Sequence, residues 1–384
     1  MSFLEDRLVK YIKNGKIIMP DGEITGKVLV FSREIVDIID EEQIGSFGFG
    51  DVYDAEGGII APGLIDLHIH GYMGEDSSDG IEKGLLEMSE AVTKNGVTSW
   101  LPTTMTVPFE QLEKVFDIVR KLMANGVDGA QILGVNAEGP FISPKYKGAQ
   151  KEENIKNIDV DFLIRNSDVI KLTTVAPETE GALDAIKEVK AKTDIVMSIG
   201  HTSATFAQAM AGIDAGISHA THLFNAMTPL NHREPGTVGA CLVSENVTCE
   251  LIADTFHINP GLFKLIYGIK KDKLILITDC TRAGGLEDGE YDLGGQLLTK
   301  KGIECRLPDG TIAGSVLTLN KALYNFKNHT GLEDYQVIAL STLGPAKLLG
   351  DNTRGSLEKG KNADIVIFDR EYNVKKTFVK GKEI

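Results

Sequence analysis

The middle of the chain alternates between short apolar runs typical of strands and longer stretches typical of helices. Two of the helical stretches, Ile81–Asn95 and Phe109–Asn125, end just before a glycine, which is the usual stop signal of a helix. Such an alternation indicates a parallel sheet. The candidate strands are Leu64–His70, Val97–Leu101, Gln131–Ala137, Ile170–Val175, Ile195–Gly200, Ile217–Thr221, Cys249–Ala253 and Leu274–Thr278.

Eight strand–helix units within about 300 residues predict an α/β fold, a (β/α)8 or TIM-like barrel. A doubly wound open sheet is the alternative, but no Gly-x-Gly-x-x-Gly fingerprint follows the first strand. Both ends of the chain, in contrast, are rich in short runs typical of strands. We therefore expect the barrel over residues 62–350 and one small β-sandwich domain formed by both termini, residues 1–61 and 351–384.

Turn-forming residues predict how some of these runs are connected. Asn14-Gly15 lies between two strand-like runs, which is a hairpin signal. Near the other end of the chain, Ala363–Phe368 and Asn373–Val379 flank a turn. The segment Glu287–Asp309 is polar and rich in glycine, and we expect it to be an inserted hairpin near the mouth of the barrel.

The composition is that of an ordinary globular protein, with 42% hydrophobic and 25% charged residues among 384. The net charge of −15 argues against a general nucleic-acid surface, and no apolar run is long enough to span a membrane. The four cysteines form no Cys-x-x-Cys pair, and Met1–Arg7 lacks the basic and apolar regions of a secretory signal. We therefore expect reduced thiols and a cytoplasmic location.

The first barrel strand contains the tripeptide His68-Ile69-His70. Residues two apart in a strand point to the same face, so both imidazoles project together. Two neutral imidazoles aimed at one point can hold one divalent metal ion. A His-x-His tripeptide alone is weak evidence, because packed or solvated histidines are commoner than ligands, so its meaning depends on the later strand ends.

Further polar side chains follow the other strands, at the end of the barrel where active sites lie. They are Glu138 after the third strand, His201 after the fifth, His222 after the sixth, His257 after the seventh and Asp279 after the eighth. Each has an ordinary alternative when taken singly, such as a surface turn for Glu138 or a helix cap for Asp279. Together they suit one or two divalent ions, which lower the pKa of bound water toward about 7. For His219 we expect a satisfied core position, and for His232 a solvated turn.

Several motifs together resemble the amidohydrolase superfamily. They are PGLIDLHIHG, NAEGPFI, GHTSA, HATHLFNAMTPLNHREPG, IADTFHI and ITDC, in this order along the chain. Within the superfamily, the chain is similar over essentially its whole length to the N-acetylglucosamine-6-phosphate deacetylase family, and the stretch from His222 to Gly236 is the most specific part. The resemblance implies a (β/α)8 barrel flanked by a β sandwich made from both termini, in agreement with the pattern described above.

The resemblance also implies roles for individual residues. It places His68, His70 and Glu138 on one metal ion, and Glu138, His201 and His222 on a second, with Zn, Fe, Mn and Co as candidate metals. Asp279 matches the catalytic aspartate, which also contacts metal, and His257 matches the histidine that contacts the sugar and the reacting amide. Asn225, Ala226 and Arg233 match the phosphate-binding positions, with the arginine coming from the neighbouring subunit of a homodimer.

Three positions differ among members of the superfamily. Some relatives replace the histidines of the first strand and work with a single metal ion, whereas this chain keeps both, so two ions are expected. Some relatives have a histidine after the Glu-Gly-Pro loop, where this chain has Gln150, so the resemblance assigns no substrate contact there. The bridging carbamylated lysine of the superfamily has no counterpart at the fourth strand, and Glu138 would bridge instead.

The implied activity is hydrolysis of the acetamide of N-acetyl-D-glucosamine 6-phosphate to D-glucosamine 6-phosphate and acetate, in amino-sugar catabolism and cell-wall recycling. An amidohydrolase acting on a cyclic amide or a purine is an alternative, but it leaves Asn225-Ala226 and His232-Arg233 unexplained. A non-catalytic binding module would be expected to have lost ligands, and none is missing from the set. We expect no nucleic-acid partner and no membrane partner.

Overall fold

The computed structural model describes residues 8–384. The sequence expectation about Met1–Arg7 lies outside these residues. Within residues 8–384, no helix combines the length and the apolar composition that crossing a membrane requires.

The N-terminal part of the chain consists of short strands. They are β1 (Lys10–Lys13), β2 (Lys16–Met19), β3 (Gly22–Ile24), β4 (Val28–Phe31), β5 (Ile35–Ile39), β6 (Val52–Asp54) and β7 (Ile59–Pro62). Strands β5, β4, β1 and β6 form one sheet in that order, whereas β2, β3 and β7 belong to another.

The middle of the chain supplies a second group of strands. They are β8 (Leu64–Ile69), β9 (Gly71–Tyr72), β10 (Glu75–Asp76), β11 (Val97–Thr104), β12 (Gln131–Ile132), β13 (Val135–Glu138), β14 (Ile170–Val175), β15 (Val196–Ile199), β16 (His219–Ala220), β17 (Thr248–Ile252) and β18 (Leu274–Ile277). Parallel pairing runs from β8 to β11 and on through β13, β14, β15, β16, β17 and β18. A parallel bridge between Ile69 and Cys280 joins the last strand to the first. The predicted eight-stranded barrel is therefore confirmed.

Helices connect the barrel strands and cover their outer face. They are α1 (Glu82–Ala91), α2 (Phe109–Asn125), α3 (Val160–Arg165), α4 (Ala182–Lys192), α5 (Phe206–Ala215), α6 (Gly236–Val243), α7 (Phe263–Lys270), α8 (Leu319–Thr330), α9 (Asp334–Ala339) and α10 (Leu343–Leu348). Single 3-10 turns lie at Glu41–Gln43, Ser77–Asp79, Val92–Asn95, Pro144–Tyr146, Glu152–Asn154, Pro260–Leu262 and Lys271–Lys273.

The local sequence explains why these elements form where they do. In α2, the buried residues Leu112, Val115, Phe116 and Val119 follow helical spacing and face the barrel. Each such side chain stabilises the fold by roughly 1.5–3 kcal/mol when it is fully buried. In β18 all four residues are buried, as expected for a parallel strand covered on both faces.

The remaining strands form the mouth of the barrel and the second terminal sheet. They are β19 (Gly289–Leu293), β20 (Gln296–Lys301), β21 (Glu304–Arg306), β22 (Ile365–Phe368), β23 (Val374–Val379) and β24 (Lys382–Glu383). One sheet runs β24, β23, β22, β7, β2, β3 and thus combines both termini. Ile12 and Leu29 from the N-terminal sheet share a core with Ile17 and Ile365 from this one. The sandwich made from both termini is therefore confirmed, whereas the exact boundaries 1–61, 62–350 and 351–384 stay a prediction.

Three local expectations differ from the structure. The hairpin expected at Asn14-Gly15 is wrong, because β1 and β2 pair in different sheets and the chain crosses between the sheets at this point. The third barrel strand is divided into β12 and β13, because Gly134 has a φ of +147° and interrupts the extended backbone. The segment 287–309 forms a three-stranded antiparallel sheet rather than one hairpin, although Leu293 and Arg306 place it at the mouth of the barrel as expected.

Candidate active site

A cavity of about 610 Å³ opens at the carboxyl ends of the barrel strands. Among the residues that line it are His70, Glu138, His201, His222, His257 and Asp279. His68 lies one layer deeper and is fully buried. The structure thus brings together the side chains that the sequence placed at separate strand ends.

Glu138 occupies the centre of this group. Its Oε1 atom lies 2.9 Å from His222 Nε2 and 3.2 Å from His201 Nε2. Its Oε2 atom lies 3.2 Å from His70 Nε2, and His68 Nε2 is 3.4 Å from Oε1. One carboxylate therefore contacts both histidine pairs, which is the geometry of a bridging ligand.

The hydrogen bonds behind the histidines determine which ring nitrogen faces the centre. His70 Nδ1 donates to the carbonyl oxygen of Thr103 at 3.2 Å, and His201 Nδ1 donates to that of Tyr146 at 3.0 Å. A carbonyl can only accept, so each Nδ1 carries the proton and a neutral ring directs the lone pair of Nε2 inward. Outer hydrogen bonds of this kind are the usual support of metal-binding histidines.

These residues fit divalent metal ions. The ligand atoms of His68, His70 and Glu138 lie within 4.8 Å of one another, and so do those of Glu138, His201 and His222. The Nε2 atoms of His68 and His70 are only 3.3 Å apart, and those of His201 and His222 are 3.1 Å apart. Lone pairs directed at each other over such distances repel unless a positive charge lies between them, and imidazole with carboxylate suits Zn, Fe, Mn or Co.

The electrostatics of these buried side chains also favour a bound metal ion. Burial alone would lower the pKa of His68, but the surrounding carboxylates outweigh it and raise the pKa to about 9. Burial also disfavours the ionised form of Glu138, yet the imidazoles of His201 and His68 hold the pKa of this carboxyl well below its usual range. The centre therefore attracts positive charge, and a divalent ion that binds there would displace protons.

Asp279 directly follows β18 and faces the first histidine pair. Its Oδ1 atom lies 3.4 Å from the Nε2 atoms of both His68 and His70. Burial opposes ionisation of this side chain, but the two imidazoles lower the pKa of Asp279 below its ordinary value. The carboxylate is thus ionised at neutral pH and in position to act as a base.

The turns after three strands have backbone that non-glycine residues rarely adopt. His201, His222 and Asp279 have φ values of +45°, +29° and +51°. Strained backbone of this kind costs about 1–3 kcal/mol at each residue and is concentrated at functional sites. Here it occurs where the chain leaves β15, β16 and β18, at the end of the barrel that carries the site.

His257 is fixed by its neighbour Asp254. Its Nδ1 atom lies 2.6 Å from Asp254 Oδ2, while Asp254 Oδ1 accepts hydrogen bonds from the backbone N–H groups of Phe256 and His257. The ring is therefore held rigidly at the wall of the cavity, and its Nε2 atom is the nitrogen left for a substrate.

The residues expected to bind phosphate divide into two groups. Asn225 and Ala226 line the cavity. Arg233 is exposed on the loop that precedes α6 and is not part of the cavity lining within residues 8–384. His232 is exposed beside it, as expected, and His329 is exposed on α8.

Sequence reasoning missed several residues of the site. Gln150 accepts a hydrogen bond from the backbone N–H of Thr106 and donates to Glu138 Oε2 at 2.6 Å, so it holds the central carboxylate. Arg306 lines the cavity, and its guanidinium lies 5.4 Å from the ring centre of Phe256. Glu250 is fully buried and contacts His68. A charged residue within the otherwise apolar run Cys249–Ala253 was the available signal for Glu250.

Comparisons with known proteins agree with this geometry. The model of the amidohydrolase family matches residues 59–384. The N-acetylglucosamine-6-phosphate deacetylase of Bacillus subtilis is 39% identical over 84% of each chain. The N-acetylgalactosamine-6-phosphate deacetylase of Escherichia coli O157:H7 is 37% identical over 86% of this chain and 88% of its own.

A solved structure extends the similarity to the whole fold. The N-acetylglucosamine-6-phosphate deacetylase of Pasteurella multocida superimposes with a TM-score of 0.92 at 31% identity, over 98% of this chain and 100% of its own. The chain therefore belongs to the amidohydrolase family and, within it, to the N-acetylglucosamine-6-phosphate deacetylase family.

Proposed function

We propose that the chain hydrolyses the acetamide of N-acetyl-D-glucosamine 6-phosphate, giving D-glucosamine 6-phosphate and acetate. The observation that carries the proposal is the convergence of two metal-ligand groups on Glu138, with Asp279 3.4 Å from the nearest imidazoles. Relatives in two bacteria act on phosphorylated N-acetyl amino sugars, as their names state.

The ligands of the two ions follow from the grouping of the side chains. His68, His70 and Glu138 would hold one ion, and Glu138, His201 and His222 would hold the other, with Asp279 close to the first group. A divalent ion at such a centre polarises a carbonyl group and lowers the pKa of water that it binds.

Asp279 moves the proton in the proposed reaction. Its carboxylate accepts a proton from the water as the water oxygen bonds to the acetyl carbon. The same carboxyl then returns this proton to the amide nitrogen as the carbon–nitrogen bond breaks, so acetate and the free amine leave. One residue suffices for both steps because the water and the nitrogen are bonded to the same carbon.

His257 supports the developing charge on the carbonyl oxygen. With Nδ1 held 2.6 Å from the Asp254 carboxylate, the Nε2–H group of the ring would donate a hydrogen bond to this oxygen. A donor of this kind is worth a few kcal/mol in the transition state of acyl transfer. Because Asp254 fixes the ring in advance, no reorganisation is needed during the reaction.

The proposal also assigns residues to the phosphate group of the substrate. Asn225 and Ala226 supply contacts from their own chain, and Arg233 supplies a bidentate contact from the neighbouring subunit of a homodimer. The exposed position of Arg233 supports this arrangement, because its side chain is free to project toward a second molecule. The exposed apolar side chain of Leu230, on the same loop, supports an interface there.

The rival activities fit the site less well. A cyclic-amide or purine hydrolase would have no use for Asn225, Ala226 and Arg233, and a non-catalytic module would have no reason to retain the ligand set. The four cysteines are free and buried, in keeping with a reducing cytoplasm. There the reaction would serve amino-sugar catabolism and cell-wall recycling.

Release of acetate tests the proposed function. Purified enzyme is supplied with N-acetylglucosamine 6-phosphate, its galactosamine epimer, and unphosphorylated N-acetylglucosamine, and acetate is measured in a coupled assay. We expect kcat/KM to be highest for the glucosamine phosphate and lowest for the sugar that lacks phosphate. Preference for the galactosamine epimer would correct the sugar, and equal rates with and without phosphate would overturn the assignment of the phosphate contacts.

A further inference from the structure

Glu250 is a buried carboxylate on β17 that lies beneath the metal-binding centre. Its Oε2 atom is 3.0 Å from His68 Nδ1 and also accepts a hydrogen bond from the backbone N–H of His222 at 3.0 Å. The other oxygen, Oε1, lies 3.1 Å from His219 Nε2. One carboxylate thus contacts a residue of each ligand group.

The contacts of Glu250 fix the orientation of His68. Its carboxylate can only accept hydrogen bonds while it is ionised, so Nδ1 of His68 carries the proton. The lone pair on Nε2 then faces His70 and Glu138, where a ligand atom is needed. In His70 and His201 a backbone carbonyl accepts the hydrogen bond from Nδ1, but within the described residues no backbone carbonyl does so for His68. The orientation of the His68 ring therefore depends on Glu250.

The backbone contact to His222 acts on the second group. His222 has a φ of +29°, which non-glycine residues rarely adopt, so its turn needs support from outside. The Glu250 carboxylate supplies it, and the backbone carbonyl of Glu250 accepts a second bond from Leu223 N–H at 2.9 Å. His219, itself 2.6 Å from Thr248 Oγ1, holds the carboxylate from the other side.

We propose that Glu250 is a positioning residue that orients ligands of both metal ions at once, the imidazole of His68 in one group and the turn of His222 in the other. This inference rests on the proposed metal dependence. His219 then has a role beyond filling the core, because it fixes the carboxylate that performs this positioning. Loss of Glu250 should weaken both metal positions together, although it touches neither ion.

Metal binding by the protein tests the inference directly. Metal-free protein is titrated with Zn²⁺ in competition with a chromophoric chelator, which gives the number of ions and their dissociation constants. Glu250→Gln keeps the size of the side chain but removes its charge, and Glu250→Leu removes the hydrogen bonds as well. Removal of such an outer partner typically costs 10–100-fold in metal affinity, so we expect about tenfold weaker binding in the glutamine variant and a larger loss in the leucine variant.

The matched control is Asp334→Asn, which removes a buried charge far from the centre. Asp334 contacts Lys16, Lys327 and Tyr372, and none of these lines the cavity. We expect this variant to lose stability and keep its metal affinity, so a general loss of stability cannot imitate the effect of Glu250. Circular dichroism of each variant establishes that the fold is retained.

A second measurement on the unchanged enzyme does not depend on any variant. In the Zn²⁺-loaded enzyme labelled with ¹⁵N-histidine, the His68 ring should carry its proton on Nδ1 and not on Nε2. A proton on Nε2 of His68 would overturn the inference, and so would wild-type affinity at either position in folded Glu250→Gln. If the unchanged enzyme takes up no divalent ion, the proposed metal dependence itself fails, which is a distinct result.

Discussion

Replacement of Asp279 by asparagine tests the proton transfer that we propose for this residue. The residue has a φ of +51°, and its backbone N–H donates to the carbonyl of His68 at 2.8 Å. Asparagine tolerates this left-handed backbone better than most residues, whereas alanine would add strain. Asp279→Asn therefore keeps the turn and the size of the side chain, and loses the charge and the ability to carry a proton.

The expected loss can be placed on an energy scale. A positioned general acid–base contributes roughly 10²–10⁴-fold to the rate, which corresponds to about 2.7–5.5 kcal/mol in the activation free energy. KM for N-acetylglucosamine 6-phosphate should change only a few-fold, because the substitution leaves the proposed phosphate contacts of Asn225, Ala226 and Arg233 unchanged. The carboxylate also lies 3.4 Å from two imidazoles, so the affinity for the first metal ion should fall as well.

The assay therefore combines steady-state acetate release with metal analysis of the same sample. Asp334→Asn is the control, since it makes the same chemical change at a buried aspartate outside the site. Activity measured at saturating Zn²⁺ distinguishes a loss caused by weaker metal binding from a loss caused by missing proton transfer. If Asp279→Asn retains its ions and turns over within a few-fold of the unchanged enzyme, Asp279 is not the proton carrier and His257 becomes the next candidate.

Four further results are expected. Chelation should abolish acetate release, and adding back divalent ions should restore it; a metal-free enzyme with full activity would refute the metal dependence. Arg233→Ala should raise KM for the phosphorylated sugar about 10–100-fold, the scale of a lost contact to a charged group, and should leave the weak activity on the unphosphorylated sugar unchanged. In hybrid dimers of Arg233→Ala and Asp279→Asn chains, one active site contains both substitutions and the other contains neither, so part of the activity should return. No recovery despite subunit exchange would mean that each site is built from one chain. Asp334→Asn should lower the free energy of unfolding by about 2 kcal/mol. Burial opposes ionisation of Asp334, but its partners lower its pKa further than burial raises it. In urea titrations, the difference in unfolding free energy between the unchanged protein and the variant should therefore be complete above a pH of about 4. It should shrink as the pH falls below that value.

Much of the barrel could be predicted because its signals are local. Helix α2 was expected at Phe109–Asn125 and lies there, since its apolar residues repeat with helical spacing and Gly126 ends it. Strand β14 likewise matches its expected bounds, Ile170–Val175. In both cases the residues that determine the element lie within it or directly beside it.

Errors arose where the outcome depends on distant parts of the chain. Asn14-Gly15 supplies a suitable turn, but β1 pairs with β4 and β6, while β2 pairs with β3 and β7. The choice between these partners is made by a core to which both termini contribute. A dipeptide signal holds no information about such partners.

The site shows the same division between local and distant information. The strand-end rule for barrels predicted that the candidate ligands would meet, because they lie at the ends of four strands and all barrel strands point the same way. Glu250, which lies below the strand ends, is not covered by this rule. A charge within an apolar strand is costly to bury unless it is paired, so Glu250, between Cys249 and Leu251, required a partner from another strand.

The partners of Glu250 explain why two separate ligand groups can act as one centre. His68 belongs to β8 and His222 follows β16, and these strands are not neighbours in the barrel. Glu138 joins the two groups from above through its contacts to their imidazoles, and Glu250 joins them from below through His68 Nδ1 and the backbone of His222. With a shared carboxylate on each side, neither group can shift without moving the other. The spacing of the two proposed metal positions would thereby be set by the barrel strands rather than by the loops at the mouth of the barrel.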